Sequence, residues 1–150
     1  MQIEKQFAIS GVNKPGVLAN ICRALADEKV NIKALTITDS AGQDVMRMVV
    51  DRADLARTVL AKINSPVKES KVITVEIPNR PGAFAALAEK LGRAHITIES
   101  AYCTSGAPSG RATAIFEVPY IEKTMKVMQE ALDRRQERIL PNVRVPAGRR

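Results

Sequence analysis

Apolar residues in the first part of the chain change period three times. In residues 3–12 (IEKQFAISGV) they alternate, with Phe7 and Ile9 on one side, which predicts a half-buried strand. From there Val17, Leu18, Ile21, Cys22 and Leu25 follow the spacing of one helix face. Alternation returns in NIKALTIT (31–38) and VMRMVVD (45–51), predicting two strands around a turn, and ADLARTVLAKI (53–63) reads as a second helix. The same succession then starts again. KVITVEIP (71–78) predicts a strand, and Phe84, Leu87, Ala88 and Leu91 mark a helix. Strands follow in ITIESAYC (96–103) and ATAIFEV (112–118), then a helix in YIEKTMKVMQEAL (120–132).

The second pass repeats the first. A shift of 66 positions aligns Asn13 with Asn79, Pro15 with Pro81, Gly16 with Gly82, Leu25 with Leu91 and Ile32 with Ile98. Beyond CTSGAPSGRA the shift becomes 68, because this Gly/Pro/Ser-rich hairpin loop is longer than its counterpart ITDSAGQD. Only NSPVKES separates the units, which leaves no room for a free linker. Residues 67–77 are therefore expected to run as one extended path of about 33 Å, at roughly 3.3 Å per residue, closing one sheet and opening the next. A matching final strand is expected in RILPNVRVP (138–146), kept short by Pro141 and Pro146. The expected organisation is one unit over 1–69, a second over 70–145, and a disordered basic tail over 146–150. The fold class is α+β: two ferredoxin-like βαββαβ units, each an antiparallel sheet with both helices on one face. Pairing into a continuous sheet, or a homodimer, covers the open face or edge.

The repeat centres on NKPG (13–16) and NRPG (79–82), each between a strand and a helix. Asn suits a helix cap, Pro presets the first turn, and Gly permits a backbone conformation or close approach that a Cβ forbids. Open amides and the positive end of the helix dipole attract a small carboxylate. A single such motif is as readily a turn that starts a helix; two copies in the same frame carry the weight.

NKPGVLANICRALADEKVNIKAL and NRPGAFAALAEKLGRAHITIES resemble the strand-loop-helix-strand signature of the ACT domain, and the likeness extends over roughly residues 3–140. ACT domains are amino-acid-sensing modules of enzymes such as phosphoglycerate dehydrogenase. With no catalytic domain alongside, the chain resembles the stand-alone tandem ACT proteins of bacteria, which implies a tandem ACT pseudo-dimer. The resemblance further implies a small ligand, often an amino acid, held between paired domains by the loop of one and the second-strand start of the other. On this chain those positions are Asn13, Gly16 and Val17 in the first loop, Asn79, Gly82 and Ala83 in the second, and Asn31 and Thr97 at the strand starts. Thr97 replaces the family's usual Asn, and a hydroxyl lacks the separate donor and acceptor of an amide. Two unequal sites are expected: Asn13 facing Thr97, and Asn79 facing Asn31, the latter more suited to an amino acid.

Composition narrows the partners. No stretch of about 18–20 apolar residues spans a bilayer, and the N-terminus lacks a secretory pattern, so a cytoplasmic protein is expected. Cys22, Cys103 and the single histidine, His95, form no metal spacing, and no cofactor is expected. His95 reads as a helix C-terminal residue, and catalysis is not expected. The formal net charge of +7 raises nucleic acid. Much of the excess, however, lies in Arg134, Arg135, Arg138, Arg144, Arg149 and Arg150, opposed by Asp133 and Glu137. Aromatics make up 3% of the chain, and the strand matching an RNA-stacking platform, VMRMVVD, has none, so nucleic acid is not the expected partner. An interaction module without a small ligand remains an alternative. The Met46, Met48, Met125 and Met128 set could serve it, although at this spacing methionines are more often core.

Overall fold

The computed structural model describes residues 1–105 and 110–139, with side chains as far as residue 133. Its elements are β1 (Gln2–Ser10), α1 (Val17–Asp27), β2 (Ile32–Ser40), β3 (Gln43–Val50), α2 (Ala53–Leu60), β4 (Val67–Pro78), α3 (Ala83–Arg93), β5 (Ser100–Ser105), β6 (Arg111–Glu117) and α4 (Ile121–Ile139). The expected extended path is the single strand β4, which crosses the boundary drawn at residue 69.

The strands form one antiparallel sheet in the order β2-β3-β1-β4-β6-β5. At its centre β1 pairs with β4, and the register sets Lys5 opposite Lys71. These two residues are equivalents under the 66-residue repeat, so a pseudo-twofold axis passes between them and exchanges β1 with β4, β3 with β6, and β2 with β5. The N-terminal half of β4 closes the first unit against β1, while β1 in turn lies where a final strand of the second unit belongs. Of the strand expected at 138–146, only the first two residues are described. Arg138 and Ile139 belong to α4, which outruns its predicted end; residues 140–146 and the tail to 150 lie outside the described residues.

Odd-numbered positions of β1 and β4 face the helices. Phe7, Ile9, Met46 and Met48 pack with Ile21, Leu25 and Leu60 under α1 and α2. Ile73, Val75, Phe116 and Met128 pack with Leu87 and Leu91 under α3 and α4. Three of the four methionines are fully buried and Met125 packs against the second core, so the set is core. On the helix-free face Ala34 of β2 shares a cluster with Val49, Val72, Ile115 and Tyr102 of β5. The right-handed twist of the sheet accumulates until its two edge strands meet across this face.

The two units also differ. Asp51 donates its backbone N–H to the Asn31 carbonyl (3.1 Å), and its carboxylate accepts the Asn31 N–H (2.9 Å). The equivalent of Asp51 is Pro119, which has neither group, so β5 begins at Ser100 instead of at Ile96. Lys29 and His95 both take left-handed backbone (φ 58° and 52°) just past α1 and α3. Val30 donates to Leu25 O and Ile96 to Leu91 O, closing both helix ends as Schellman motifs with His95 in the terminal position.

On the helix side, Glu69 accepts two hydrogen bonds from Arg57, both 2.7 Å, and pairs with Lys5 at 3.3 Å. The Arg57 hydrogen bonds outweigh the cost of burial and hold its carboxyl down to about 2, from an ordinary 4.5. A depressed carboxyl stabilises the fold fully above the ordinary value, and the gain is lost as pH falls toward the folded one. Glu69→Gln is therefore expected to lower stability at pH 6, by under about 1 kcal/mol because the pair faces water. The deficit shrinks between pH 4.5 and 2, as urea unfolding across that range will show.

Candidate functional site

Gly16 and Gly82 stand at the N-caps of α1 and α3 with φ of 84° and 82°, the left-handed region that the repeated glycine was expected to serve. Lys14 O and Arg80 O each accept the first helical N–H, from Val17 and Ala83 at 3.2 Å. The asparagines do not cap: no side chain closes either helix start. Asn13 is instead turned to the β2–β3 hairpin, its amide donating to Asp39 Oδ2 (3.3 Å) and its backbone N–H to Asp44 Oδ2 (2.9 Å), which also takes the Val12 N–H. Asp44 is replaced by Ala112 in the second unit, where the Asn79 N–H reaches Gly110 O at 2.6 Å. Asn13, Gly16, Asn31, Asn79, Gly82 and Thr97 are exposed, Val17 is half-buried and Ala83 is buried.

Strand register fixes which of these share an end of the sheet. Ser10 pairs with Val45 and donates to Pro66 O, so the Asn13–Gly16 loop lies where β3 and β4 begin. There β6 ends, and Glu99, two residues after Thr97, donates to Glu117 O. The Asn79–Gly82 loop lies at the other end, where β1 starts opposite Thr74 and Asn31 precedes β2. Each loop thus shares its end with the other unit's second-strand start.

A cleft opens between the units toward each end. Near the first, about 470 Å³ is lined by Ala8, Ser10, Val45, Arg47, Pro66, Val67, Lys68, Glu99 and Glu117. Toward the second, about 270 Å³ is lined by Met1, Gln2, Glu4, Lys33, Thr74, Val75, Glu76 and Thr113. The clefts are pseudo-symmetric: Thr74 stands for Ala8, Glu76 for Ser10, Thr113 for Val45, Lys33 for Glu99 and Gln2 for Lys68. Their charges are not. In the second cleft Lys33 is paired to Glu4, which also accepts the Thr74 hydroxyl at 2.6 Å.

The floor of the first cleft is a polar network joining both units. Glu117 accepts from Gln6 Nε2 (3.0 Å) and Ser100 Oγ (2.9 Å) and lies 3.9 Å from Arg47. The fully buried Gln6 accepts from the Tyr102 hydroxyl at 2.9 Å. Burial alone pushes the Glu117 carboxyl up; hydrogen bonds from Ser70, Ser100 and Gln6, with the Arg47 charge, outweigh it and hold the carboxyl below its ordinary value. Burial pushes the Tyr102 phenol well above its ordinary range. None of these residues is singled out by the sequence. They occupy alternate strand positions, which in an antiparallel sheet ordinarily face water.

Two ferredoxin-like units joined through shared central strands, with a glycine-started helix in each, define a paired α+β fold. Residues 6–64 match the family model of the ACT domain. Among solved structures it is similar to protein BT0572 from Bacteroides thetaiotaomicron, at 28% identity and a TM-score of 0.77, covering 85% of this chain and 88% of that one. The ligand-free regulatory subunit of aspartate kinase from Thermus thermophilus shares the fold at 17% identity and a TM-score of 0.64, covering 87% and 97%. So does the regulatory subunit from Thermus flavus, at 19% and 0.60, covering 87% and 94%. No curated protein matches the chain in sequence. Among the described residues, no helix is long and apolar enough to cross a membrane.

Proposed function

We propose that this chain is a non-catalytic cytoplasmic sensor that binds an amino acid or a similar small carboxylate between its two units and passes its level to a protein partner, itself working as a homodimer. The observation that carries the reading is the pair of inter-unit clefts, each sharing its end of the sheet with a glycine loop of one unit and the second-strand start of the other. Asn13, Gly16, Val17 and Thr97 rim one site in this reading; Asn79, Gly82, Ala83 and Asn31 rim the other. The ACT domain over residues 6–64 supports it, since such domains sense amino acids, and the same fold forms a regulatory subunit of aspartate kinase in Thermus thermophilus. Units 1–69 and 70–145 remain the proposed division, with β4 running through both. A ligand that favours one arrangement of the units over another shifts their populations, and that is the signal passed on.

Thermal unfolding in the presence of each of the twenty amino acids tests the reading. At about 100 times its dissociation constant the ligand is expected to stabilise the chain by roughly 2.7 kcal/mol. A flat response to all twenty favours an interaction module with no small-molecule ligand.

A further inference from the structure

The two clefts differ where a ligand would touch them. In the first, Lys68 lies on the helix-free face of β4 and Glu99 just before β5, and neither side chain has a hydrogen-bond or ion-pair partner among the described residues. A cation and an anion left unmatched around one cleft of about 470 Å³, with the Ser10 hydroxyl beside them, are complementary to a small molecule carrying both charges. In the second cleft these positions hold Gln2 and Lys33, and the Lys33 charge is already met by Glu4. The ground beneath differs as well. Arg47 and Glu117 line the first cleft and belong to the network that ties β1 to β5 and β6. Their pseudo-symmetric mates are Ile115 and Val49, apolar residues of the helix-free cluster that offer a ligand no charge.

We propose that the first cleft binds a zwitterion, an α-amino acid, with its carboxylate toward Lys68 and Arg47 and its ammonium toward Glu99 and Glu117, and that the second cleft does not. The inference rests on the reading of the chain as an amino-acid sensor, and it reverses the ranking of the two ends drawn from Asn31 and Thr97. A ligand seated on Arg47 and Glu117 competes directly with Gln6 and Ser100 for the carboxylate that joins the units, so occupancy of this cleft alone changes how they are held together.

Amide-resolved NMR titration of the full chain with each of the twenty amino acids tests the proposal. The expected result is that at least one shifts the amides of Ser10, Lys68 and Glu99. Lys68→Gln or Glu99→Gln should weaken that binding at least tenfold, while Lys33→Gln leaves it within twofold; all three side chains lie at the surface, so folding is not at stake. Shifts centred on Gln2, Lys33 and Thr74 overturn the proposal and leave the sensor reading standing. Binding at the first cleft that is indifferent to both Lys68→Gln and Glu99→Gln also overturns it. No shift with any amino acid overturns the sensor reading and the proposal together.

Discussion

Phe116→Ala is expected to remove about 3–5 kcal/mol of stability, a large share of the roughly 5–15 kcal/mol that holds a domain together. Phe116 is fully buried and stacks on Phe84, with ring centroids 5.5 Å apart. It sits on β6 opposite Ile73 of β4 and Ala101 of β5, so the void opens at the centre of the second core. The loss is not confined to that core. β4 supplies Ile73 and Val75 to the second core while its first residues pair with β1 over the first. One cooperative transition is therefore expected, with amide protection in β3 and β6 falling together. Urea unfolding combined with hydrogen exchange measures both. Unchanged protection in β3 would show that the units fold separately.

Gln6→Leu is expected to cost about 2–4 kcal/mol. The side chain is fully buried and is the only one that bridges Tyr102 and Glu117 among the described hydrogen bonds. Leucine fills similar space but deprives the Tyr102 hydroxyl of its acceptor and the Glu117 carboxylate of a donor, and a buried polar group left unpaired costs about 1–3 kcal/mol. Adding Tyr102→Phe removes one of the orphaned groups, so the double variant should recover about 1 kcal/mol relative to the sum of the single losses. Strict additivity would mean that the Gln6–Tyr102 contact contributes nothing. Because this network joins β1 to β5 and β6, Gln6→Leu should also loosen the coupling between the units.

How much of this is legible in the sequence depends on the element. The six strands and four helices of the described residues, with the doubled glycine loops, follow from alternation, helical spacing and the 66-residue shift, because each reflects local chemistry repeated in two places. The continuous β4 is legible because seven residues leave no slack between units. The role of β1 as closing strand for the second unit is not, since it depends on a pairing between Lys5 and Lys71 that no local pattern specifies. Residues Gln6, Ser70, Ser100 and Glu117 escape notice for a related reason: period-2 alternation marks them as facing away from the helices, and only the coiling of the whole sheet turns that face inward. The late start of β5 could be read in advance, from Pro119 standing where Asp51 holds the first unit's strand. At the candidate site the glycine conformations follow from the motif. The asparagine caps do not, because Asp39 and Asp44, far along the chain, compete for Asn13.

A crystal structure of the full chain grown with the amino acid that most raises its unfolding temperature tests the central claim most directly. One ordered ligand is expected between the two units, in contact with residues of both. Ligand bound to a single unit alone, or on the outer helical surface, would contradict it.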